Sequence, residues 1–175
     1  AQGLARRILQ NTERIENMAR ELLDNLLFVG GDRLPLRMVR FDMAALADEI
    51  VQHAATFHGV DIRLDTEPVI GDWCRGSLQR ALENLVSNAI KYGDPSAPIQ
   101  LWVSSTGARV KVSLHNEGEP IPVEDTESMF QLYHRAEEAR RKSIGWGVGL
   151  PFVRRVAESH GGSVIVSSTA AEGTM

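Results

Sequence analysis

The chain of 175 residues has only one cysteine, Cys74, and few aromatic residues, which make up 6% of the sequence. A single cysteine excludes an internal disulfide and is typical of a reducing compartment. No apolar run approaches the roughly 18 residues of a membrane-spanning helix, and the N-terminus lacks the profile of a secretory signal. We therefore expect a cytoplasmic chain without membrane contact of its own, either free or as the cytosolic part of a membrane-anchored protein.

The sequence also lacks an excess of charge of one sign. It has 19 Lys and Arg against 23 Asp and Glu, for a net charge of −4. This balance gives no electrostatic argument for nucleic acid or for an anionic membrane as a partner. With 43% hydrophobic residues, the composition is that of an ordinary globular protein with one core.

The first 30 residues have a pattern of their own. Apolar side chains recur every seven positions, at Ala1, Ile8, Ile15, Leu22 and Val29. This heptad predicts a long amphipathic helix over residues 4–29 that pairs with another helix and ends at two glycines. A helix packed against its own domain is the alternative.

After residue 31, apolar periodicities of two and of about 3.6 alternate. They predict strands at residues 38–41, 61–65, 69–72, 99–103, 109–114 and 163–167, and helices at 43–58, 73–92, 124–133 and from the glycine cluster to 160. Residues 104–108 join two strands as a hairpin, so neighbouring strands are antiparallel. The sequence therefore predicts an α+β fold, a two-layer sandwich of a mixed, mostly antiparallel sheet with helices on one face.

Four polar side chains fall on one face of the helix predicted at residues 73–92. Arg80, Asn84, Asn88 and Lys91 follow each other at steps of four, four and three residues, which aligns them. Amide oxygens can ligate magnesium, and a lysine neutralises phosphate oxygens. A hydrated helix surface would have the same composition, so these four residues alone do not decide between the two.

Three glycines precede the last predicted helix, in G145-W-G-V-G-L-P-F152. Gly145, Gly147 and Gly149 let main-chain amides approach an anion without obstruction by a Cβ atom, and the helix N-terminus adds its positive dipole end. Pro151 is tolerated in a first helical turn. The spacing is neither the dinucleotide fingerprint nor a phosphate loop ending in Gly-Lys-Ser/Thr. A simple turn is the alternative to an anion site.

Together with further motifs, these two elements carry a resemblance. A strand breaks into N116-E-G-E-P-I-P122, followed by F130-Q-L-Y133 and a terminal E172-G-T174. Their order and spacing over roughly residues 37–175 resemble the GHKL superfamily of ATP-binding domains and, within it, the sensor histidine kinases of two-component systems. Residues 1–30 resemble the C-terminal helix of the dimerisation and histidine-phosphotransfer bundle, and residues 31–175 the catalytic domain. The resemblance implies a further strand beyond Met175.

The resemblance implies ATP and Mg²⁺ as cofactors and assigns roles to residues. Asn84 and Asn88 would hold the magnesium, and Lys91 would reach the phosphates. The adenosine would be contacted by Tyr92, Asn116, Gly118, Ile121 and Thr174. Residues 134–144 would form a mobile lid, with Arg135 or the Arg140-Arg141-Lys142 cluster near the γ-phosphate. The triphosphate would be wrapped by Gly145, Gly147, Val148, Gly149 and Leu150.

The implied reaction transfers the γ-phosphoryl group of ATP to a histidine, for relay to an aspartate of a response-regulator receiver domain. The histidine would lie on the protein's own bundle, shared with a homodimer partner. None of the five histidines has the sequence context of a phosphoacceptor, so we assign no catalytic residue and expect a fragment that lacks it.

Two departures from the family pattern leave other functions open. Asn116 stands where many members have aspartate, and Pro120 stands where a glycine is usual. A non-catalytic pseudokinase that acts as an interaction module is therefore one alternative. A GHKL ATPase or a serine kinase of the anti-sigma type is another, although ATP-hydrolysing relatives carry a glutamate at the position of Asn84.

Overall fold

The computed structural model describes residues 34, 36–131 and 147–175. The predicted helix at residues 4–29 lies outside them. The described elements are, in order, β1 (Val39–Asp42), α1 (Met43–His58), β2 (Ile62–Thr66), β3 (Ile70–Trp73), α2 (Arg75–Tyr92), β4 (Ile99–Thr106), β5 (Arg109–His115), α3 (Asp125–Ser128), α4 (Gly149–Ser159), β6 (Ser168–Thr169) and β7 (Gly173–Thr174). Within these residues, no helix is both long and apolar enough to cross a membrane.

The strands pair in both directions. β4 is central, parallel to β2 and antiparallel to β5, while β1 pairs with β3 and β6 with β7, both antiparallel. Helices α1 and α2 pack on the face of the β2–β4–β5 sheet from which Leu101 and Val103 point into the core. The predicted α+β sandwich with a mixed, mostly antiparallel sheet is confirmed.

Asp42 fixes the start of α1, as its sequence position predicts. Its Oδ1 accepts hydrogen bonds from the main-chain amides of Ala44 at 3.0 Å and Val69 at 2.9 Å. One carboxylate thereby caps the helix and ties it to the strand that begins at Ile70. Gly59 ends the helix with a φ of 65°, the left-handed conformation that glycine adopts without a Cβ penalty.

Two apolar clusters hold the elements together. The larger packs α1 and α2 on the sheet and includes Met43, Leu46 and Leu101, each at most 1% exposed. The smaller packs α4 on α2 and includes Ala81 and Phe152. Burying a side chain the size of Phe152 stabilises the fold by about 1.5–3 kcal/mol. The smaller cluster therefore holds the first turns of α4 against the middle of α2.

Two predicted helices differ from the observed ones. Helix α2 begins at Arg75 rather than at residue 73, because Trp73 pairs with Val39 in β3 and its ring meets Phe41 edge-on at 5.5 Å. The helix predicted at residues 124–133 is reduced to α3. Phe130 and Gln131 donate to carbonyls three residues back, so the chain tightens into turns that bury Phe130. Residues 132 and 133 lie outside the described residues.

Two strand predictions also need correction. The hairpin loop is shorter than residues 104–108, because the β4–β5 ladder continues to the pair Thr106–Arg109 and Gly107 turns the chain with a φ of 62°. The strand predicted at residues 163–167 is wrong. Among these residues, Ser167 is the one with described main-chain pairing, since it exchanges two hydrogen bonds with Met175. The observed strand β6 starts one residue later, at Ser168.

Candidate functional site

The four aligned polar residues of α2 keep their predicted arrangement. We call Arg80, Asn84, Asn88 and Lys91 the polar stripe. The side chains buried by the same helix are those of Ala81, Leu82, Val86 and Ala89. Asn84 and Asn88 are half-buried, whereas Lys91 is exposed. The Asn84 amide nitrogen donates to the carbonyl of Arg80 at 3.0 Å, which leaves its oxygen as the atom available to a cation.

The glycine cluster meets the polar stripe at Asn84. A Cβ atom placed on Gly149 would lie 2.8 Å from Asn84 Oδ1, so the absence of a side chain permits the contact between α4 and α2. Gly147 has a φ of 71°, a conformation that glycine supplies readily. Val148, between the two glycines, is fully buried. Leu150 is half-buried in the first turn of α4.

A second set of residues lies at the C-terminal end of α2 and is held by main-chain contacts. We call Gly93, Asn116, Gly118, Gly173 and Thr174 the backbone cluster. Asn116 and Thr174 exchange amide–carbonyl hydrogen bonds of 3.0 and 2.9 Å, and Gly93 pairs with Gly118. A Cβ atom on Gly118 would lie 2.7 Å from the carbonyl oxygen of Tyr92. No side chain fits there without a shift of the main chain.

Side-chain hydrogen bonds extend the backbone cluster. The Ser168 hydroxyl accepts from the amide of Ile121 at 2.9 Å and lies 2.6 Å from the hydroxyl of Thr174. His115 Nε2 donates to the carbonyl of Glu172 at 2.7 Å. These bonds tie the turn after β5 to the β6–β7 hairpin.

Lys91, the last member of the polar stripe, is followed by Tyr92 at the end of the helix. The Lys91 ammonium is 5.1 Å from the centroid of the Tyr92 ring, and Tyr92 is 44% exposed. At 1.5 Å per residue, Asn84 and Tyr92 are about 12 Å apart along the helix axis. One helix therefore carries polar side chains along its length and the contacts to the backbone cluster at its end.

The structure brings together most of the residues that the sequence nominates. Asn84 meets Gly149, Gly118 meets Tyr92, and Asn116 pairs with Thr174. Arg135 and Gly145 lie outside the described residues.

Sequence reasoning missed Gly93, Gly173 and Ser168. Gly93 directly follows Tyr92, and Gly173 stands in the motif E172-G-T174. Their chain position does not show which main-chain atoms approach them. Nothing in the sequence marks Ser168.

Hydrogen bonds shift several pKa values near these elements. The hydroxyl and amide of Ser96 lower the pKa of Asp94, whose own amide donates to the carbonyl of Glu117 at 2.7 Å. This carboxylate stabilises the turn that follows α2. Burial raises the pKa of the Cys74 thiol, but hydrogen bonds, first from Ser77, outweigh it and leave the pKa below its ordinary value.

An ion pair lies on α4. Arg154 donates to both carboxylate oxygens of Glu127, at 2.7 and 3.0 Å, and its guanidinium carbon is 4.4 Å from the centroid of the Phe130 ring. The hydrogen bond and the charge of Arg154 lower the pKa of Glu127, and the pKa of Arg154 is raised in return. This pair fastens α3 to α4.

A groove of about 510 Å³ lies elsewhere, on the β2–β4–β5 sheet. Its lining includes Asp65, Trp102, Lys111, Ser113 and Met175. On β4 and β5, side chains alternate between the two faces, and Trp102 and Ser113 point away from the helices. The groove contains no member of the polar stripe or the backbone cluster, so we do not assign the predicted chemistry to it.

Comparison with known proteins identifies the family of this chain. The model described as "Histidine kinase-, DNA gyrase B-, and HSP90-like ATPase" matches residues 74–175. The sensor-like histidine kinase SenX3 of Mycobacterium tuberculosis is 30% identical over 177 residues, which cover 97% of this chain and 42% of SenX3. The sensor histidine kinase CusS of Escherichia coli K12 is 31% identical over 175 residues, 93% of this chain and 35% of CusS.

The fold has counterparts among solved structures. Full-length ShkA in complex with AMPPNP superposes with a TM-score of 0.75 at 22% identity, over 93% of this chain and 35% of ShkA. The likeness to ShkA concerns the fold. The chain spans less than half the length of SenX3 and of CusS.

Proposed function

The chain belongs to the family of histidine kinase-, DNA gyrase B- and HSP90-like ATPases, and we propose that residues 31–175 are the ATP-binding catalytic domain of a sensor histidine kinase. Residues 1–30 are, in this proposal, the second helix of the dimerisation and phosphotransfer bundle. Support comes from SenX3 and CusS, which are named sensor-like histidine kinase and sensor histidine kinase and match more than 90% of this chain.

We propose that ATP lies along α2 with its adenine at the backbone cluster. Asn116 and Thr174 border this end, Ile121 is tied to Thr174 through Ser168, and Tyr92 exposes a ring on which a base or ribose can stack. The phosphates then extend toward Asn88, Asn84 and the first turn of α4. At that turn, main-chain amides and the helix dipole favour an anion.

The polar stripe suits a hard cation bound to phosphate. Magnesium prefers oxygen ligands and is held in proteins by few side chains together with substrate phosphates. Asn84 and Asn88 each offer one amide oxygen, one helical turn apart, and Asn84 has already committed its nitrogen to Arg80. Magnesium would neutralise charge on the phosphates. Lys91 adds a positive charge on the same stripe.

The proposed reaction is transfer of the γ-phosphoryl group to a histidine on the protein's own bundle, in the cytosol and within a homodimer. A response-regulator receiver domain would accept the group next. Phosphoryl transfer depends chiefly on positioning and charge neutralisation, and the polar stripe and the glycine cluster serve both. The amide of Asn84 cannot act as a base toward water, which favours transfer to a histidine over hydrolysis.

The observation that carries this proposal is the contact of Gly149 with the oxygen of Asn84. It joins the two motifs that would bind the phosphates. Calorimetric titration with AMPPNP, with and without magnesium, tests it. We expect magnesium-dependent binding by the wild-type chain that is lost in Asn88→Ala and kept in Ser87→Ala, which changes the adjacent residue about 100° around the helix.

Absence of binding by a folded wild-type chain at millimolar nucleotide would contradict ATP binding and favour the interaction module. The transfer step needs a separate assay. A longer chain that includes the histidine-bearing helix should incorporate phosphate from labelled ATP in an acid-labile form, and the Asn88→Ala version should not.

A further inference from the structure

The hydroxyl of Ser168 connects two residues that lie at the end of the site proposed for the adenine. It accepts a hydrogen bond from the main-chain amide of Ile121 at 2.9 Å, and it lies 2.6 Å from the hydroxyl of Thr174. Ser168 is half-buried in β6 and pairs directly with Thr174 in β7. Ser168 therefore contacts the backbone cluster from the neighbouring strand.

The direction of the hydrogen bond between the two hydroxyls follows from the contact with Ile121. Ser168 uses a lone pair of its oxygen to accept from that amide. Accepting a hydrogen bond polarises a hydroxyl and makes it a better donor, so hydrogen bonds in a chain strengthen each other. The favoured chain therefore runs from the amide of Ile121 through Ser168 to the oxygen of Thr174. In this arrangement the hydroxyl proton of Thr174 is directed to a ligand.

Asn116 is oriented in the complementary sense. Its side-chain nitrogen donates to the carbonyl of Glu117 at 3.2 Å, which leaves the side-chain oxygen as the acceptor for a ligand. Asn116 and Thr174 form an antiparallel bridge with main-chain hydrogen bonds of 3.0 and 2.9 Å. Residues paired in this way have their side chains on one face and their Cα atoms about 5.5 Å apart. The backbone cluster therefore presents an acceptor beside a donor.

An acceptor beside a donor matches the edge of adenine. Adenine has an exocyclic amino group, which donates, next to a ring nitrogen that accepts. Guanine and hypoxanthine have the reverse, an exocyclic oxygen that accepts next to a ring N–H that donates. A site with a fixed order of donor and acceptor discriminates against the reversed edge, because its own polar groups are then left unpaired.

We propose that Ser168 is a positioning residue for base recognition, which fixes the hydroxyl of Thr174 as a donor and thereby makes the site prefer adenine to purines with the reversed edge. This proposal rests on the proposed function, which places the base at the backbone cluster. Ser168 acts through Thr174 and does not itself contact the base.

The alternative role for Ser168 is to hold the turn that contains Ile121. That role acts only through the fold, so its loss would weaken the binding of every nucleotide equally. A change in the preference between two bases of the same size separates the two roles. Adenine and hypoxanthine are suited to this, because they differ in the direction of the hydrogen bonds along one edge.

The test measures the dissociation constants of magnesium–ADP and magnesium–inosine diphosphate for wild type, Ser168→Ala, Ser168→Thr and Ser167→Ala. Ser167 is the matched control, the preceding serine, whose described pairing with Met175 uses main-chain atoms. Wild type should bind ADP about fivefold or more tightly than inosine diphosphate, as one hydrogen bond predicts. Ser168→Ala should lose this preference, because the hydroxyl of Thr174 can then rotate and accept from the reversed edge.

Two of these proteins should resemble wild type. Ser168→Thr retains a hydroxyl at the same position and should retain the preference for ADP. Ser167→Ala should leave both dissociation constants unchanged. In a chain that also carries Thr174→Val, which removes the hydroxyl that Ser168 orients, Ser168→Ala should have no further effect on the preference.

Ser168→Cys tests the proposal even if Ser168→Ala does not fold. Its thiol fills a similar space but is a weak donor, so the preference for ADP should fall below that of wild type. Equal weakening of both nucleotides in the Ser168 variants, or an unchanged preference, would overturn the role of Ser168 while leaving the proposed function intact. Equal binding of both nucleotides by wild type would do the same. A folded wild-type protein that binds neither nucleotide would overturn both.

Discussion

The two ends of α2 are built in different ways. At its C-terminal end, the backbone cluster is held by main-chain atoms, with glycines in positions where a Cβ atom would meet a carbonyl oxygen at 2.4–2.7 Å. Along its middle, the polar stripe consists of side chains, and the closest obstacle to a Cβ on Gly149 is the tip of Asn84. Substitutions at the first end should therefore damage the fold, and those along the second should damage ligand binding.

The largest effect is expected at Gly173, which has a φ of 68° and would place a Cβ atom 2.6 Å from the carbonyl of Asn116. Strain and the clash together should make Gly173→Ala lose about 2–4 kcal/mol of unfolding free energy. Urea denaturation followed by circular dichroism measures this loss.

Gly107→Ala provides the matched control for Gly173. Gly107 has a φ of 62° but nothing within 4 Å of a Cβ atom, so only the backbone term of about 1–2 kcal/mol remains. If both variants lost the same unfolding free energy, the close packing around Gly173 would contribute nothing, and the proposed difference between the two ends of α2 would be contradicted.

The next largest effect is expected at Gly149, where the substitution should weaken ligand binding rather than stability. In Gly149→Ala, the new methyl group can be accommodated by a rotation of the Asn84 side chain, so stability should change by less than about 1 kcal/mol. The displaced amide oxygen should weaken magnesium–AMPPNP binding about tenfold, as measured by calorimetry.

Gly76→Ala is the control for Gly149, a glycine in the first turn of α2 with nothing within 4 Å of a Cβ atom. It should stabilise the chain by about 0.4–1 kcal/mol and leave binding unchanged. Unaltered binding by Gly149→Ala would contradict the role of the Asn84–Gly149 contact.

A smaller effect is expected at Asn116, the member of the backbone cluster whose side-chain amide oxygen can accept a hydrogen bond from a base. In Asn116→Asp, a charged acceptor replaces a neutral one, and affinity for AMPPNP should increase about fivefold over that for GMPPNP. Ser113→Asp adds the same charge to β5 at the sheet groove and should leave this ratio unchanged. If Asn116→Asp instead lowered the affinity for AMPPNP relative to GMPPNP, the placement of the adenine at this end of the helix would be contradicted.

The smallest effect is expected at Glu127, which belongs to neither end. Its pKa is lowered by Arg154, so its contribution to stability is present above the ordinary pKa of about 4.3 and is lost as the pH falls through the lower folded value. The melting temperature of Glu127→Gln should lie slightly below that of wild type at pH 7 and reach it in acid. Glu124→Gln is the control. A difference in melting temperature that stays the same at all pH values would exclude the Glu127–Arg154 ion pair as its cause.

The sequence predicts the polar stripe well because helical periodicity alone aligns Arg80, Asn84, Asn88 and Lys91. Asp42 was likewise predictable as a helix cap, since capping depends on neighbouring residues. The core faces of α1, α2 and β4 follow from their apolar periods.

The parts that could not be predicted depend on contacts distant in the chain. Gly173 is required by a carbonyl 57 positions earlier, that of Asn116, and Ser168 acts by joining Ile121 to Thr174. Trp73 leaves the predicted helix because Val39 offers it a strand partner. Local pattern carries no information on such tertiary contacts, which override propensity.

The central claim is that the nucleotide lies along α2 with its phosphates at the polar stripe and its base at the backbone cluster. Manganese in place of magnesium tests this directly, because its unpaired electrons broaden the NMR signals of nearby amides. In the ¹⁵N-labelled chain with ADP and substoichiometric Mn²⁺, the amides of Asn84, Asn88 and Gly149 should broaden before those of Asn116, Gly118 and Thr174. The reverse order, or uniform broadening of both groups, would contradict the claim.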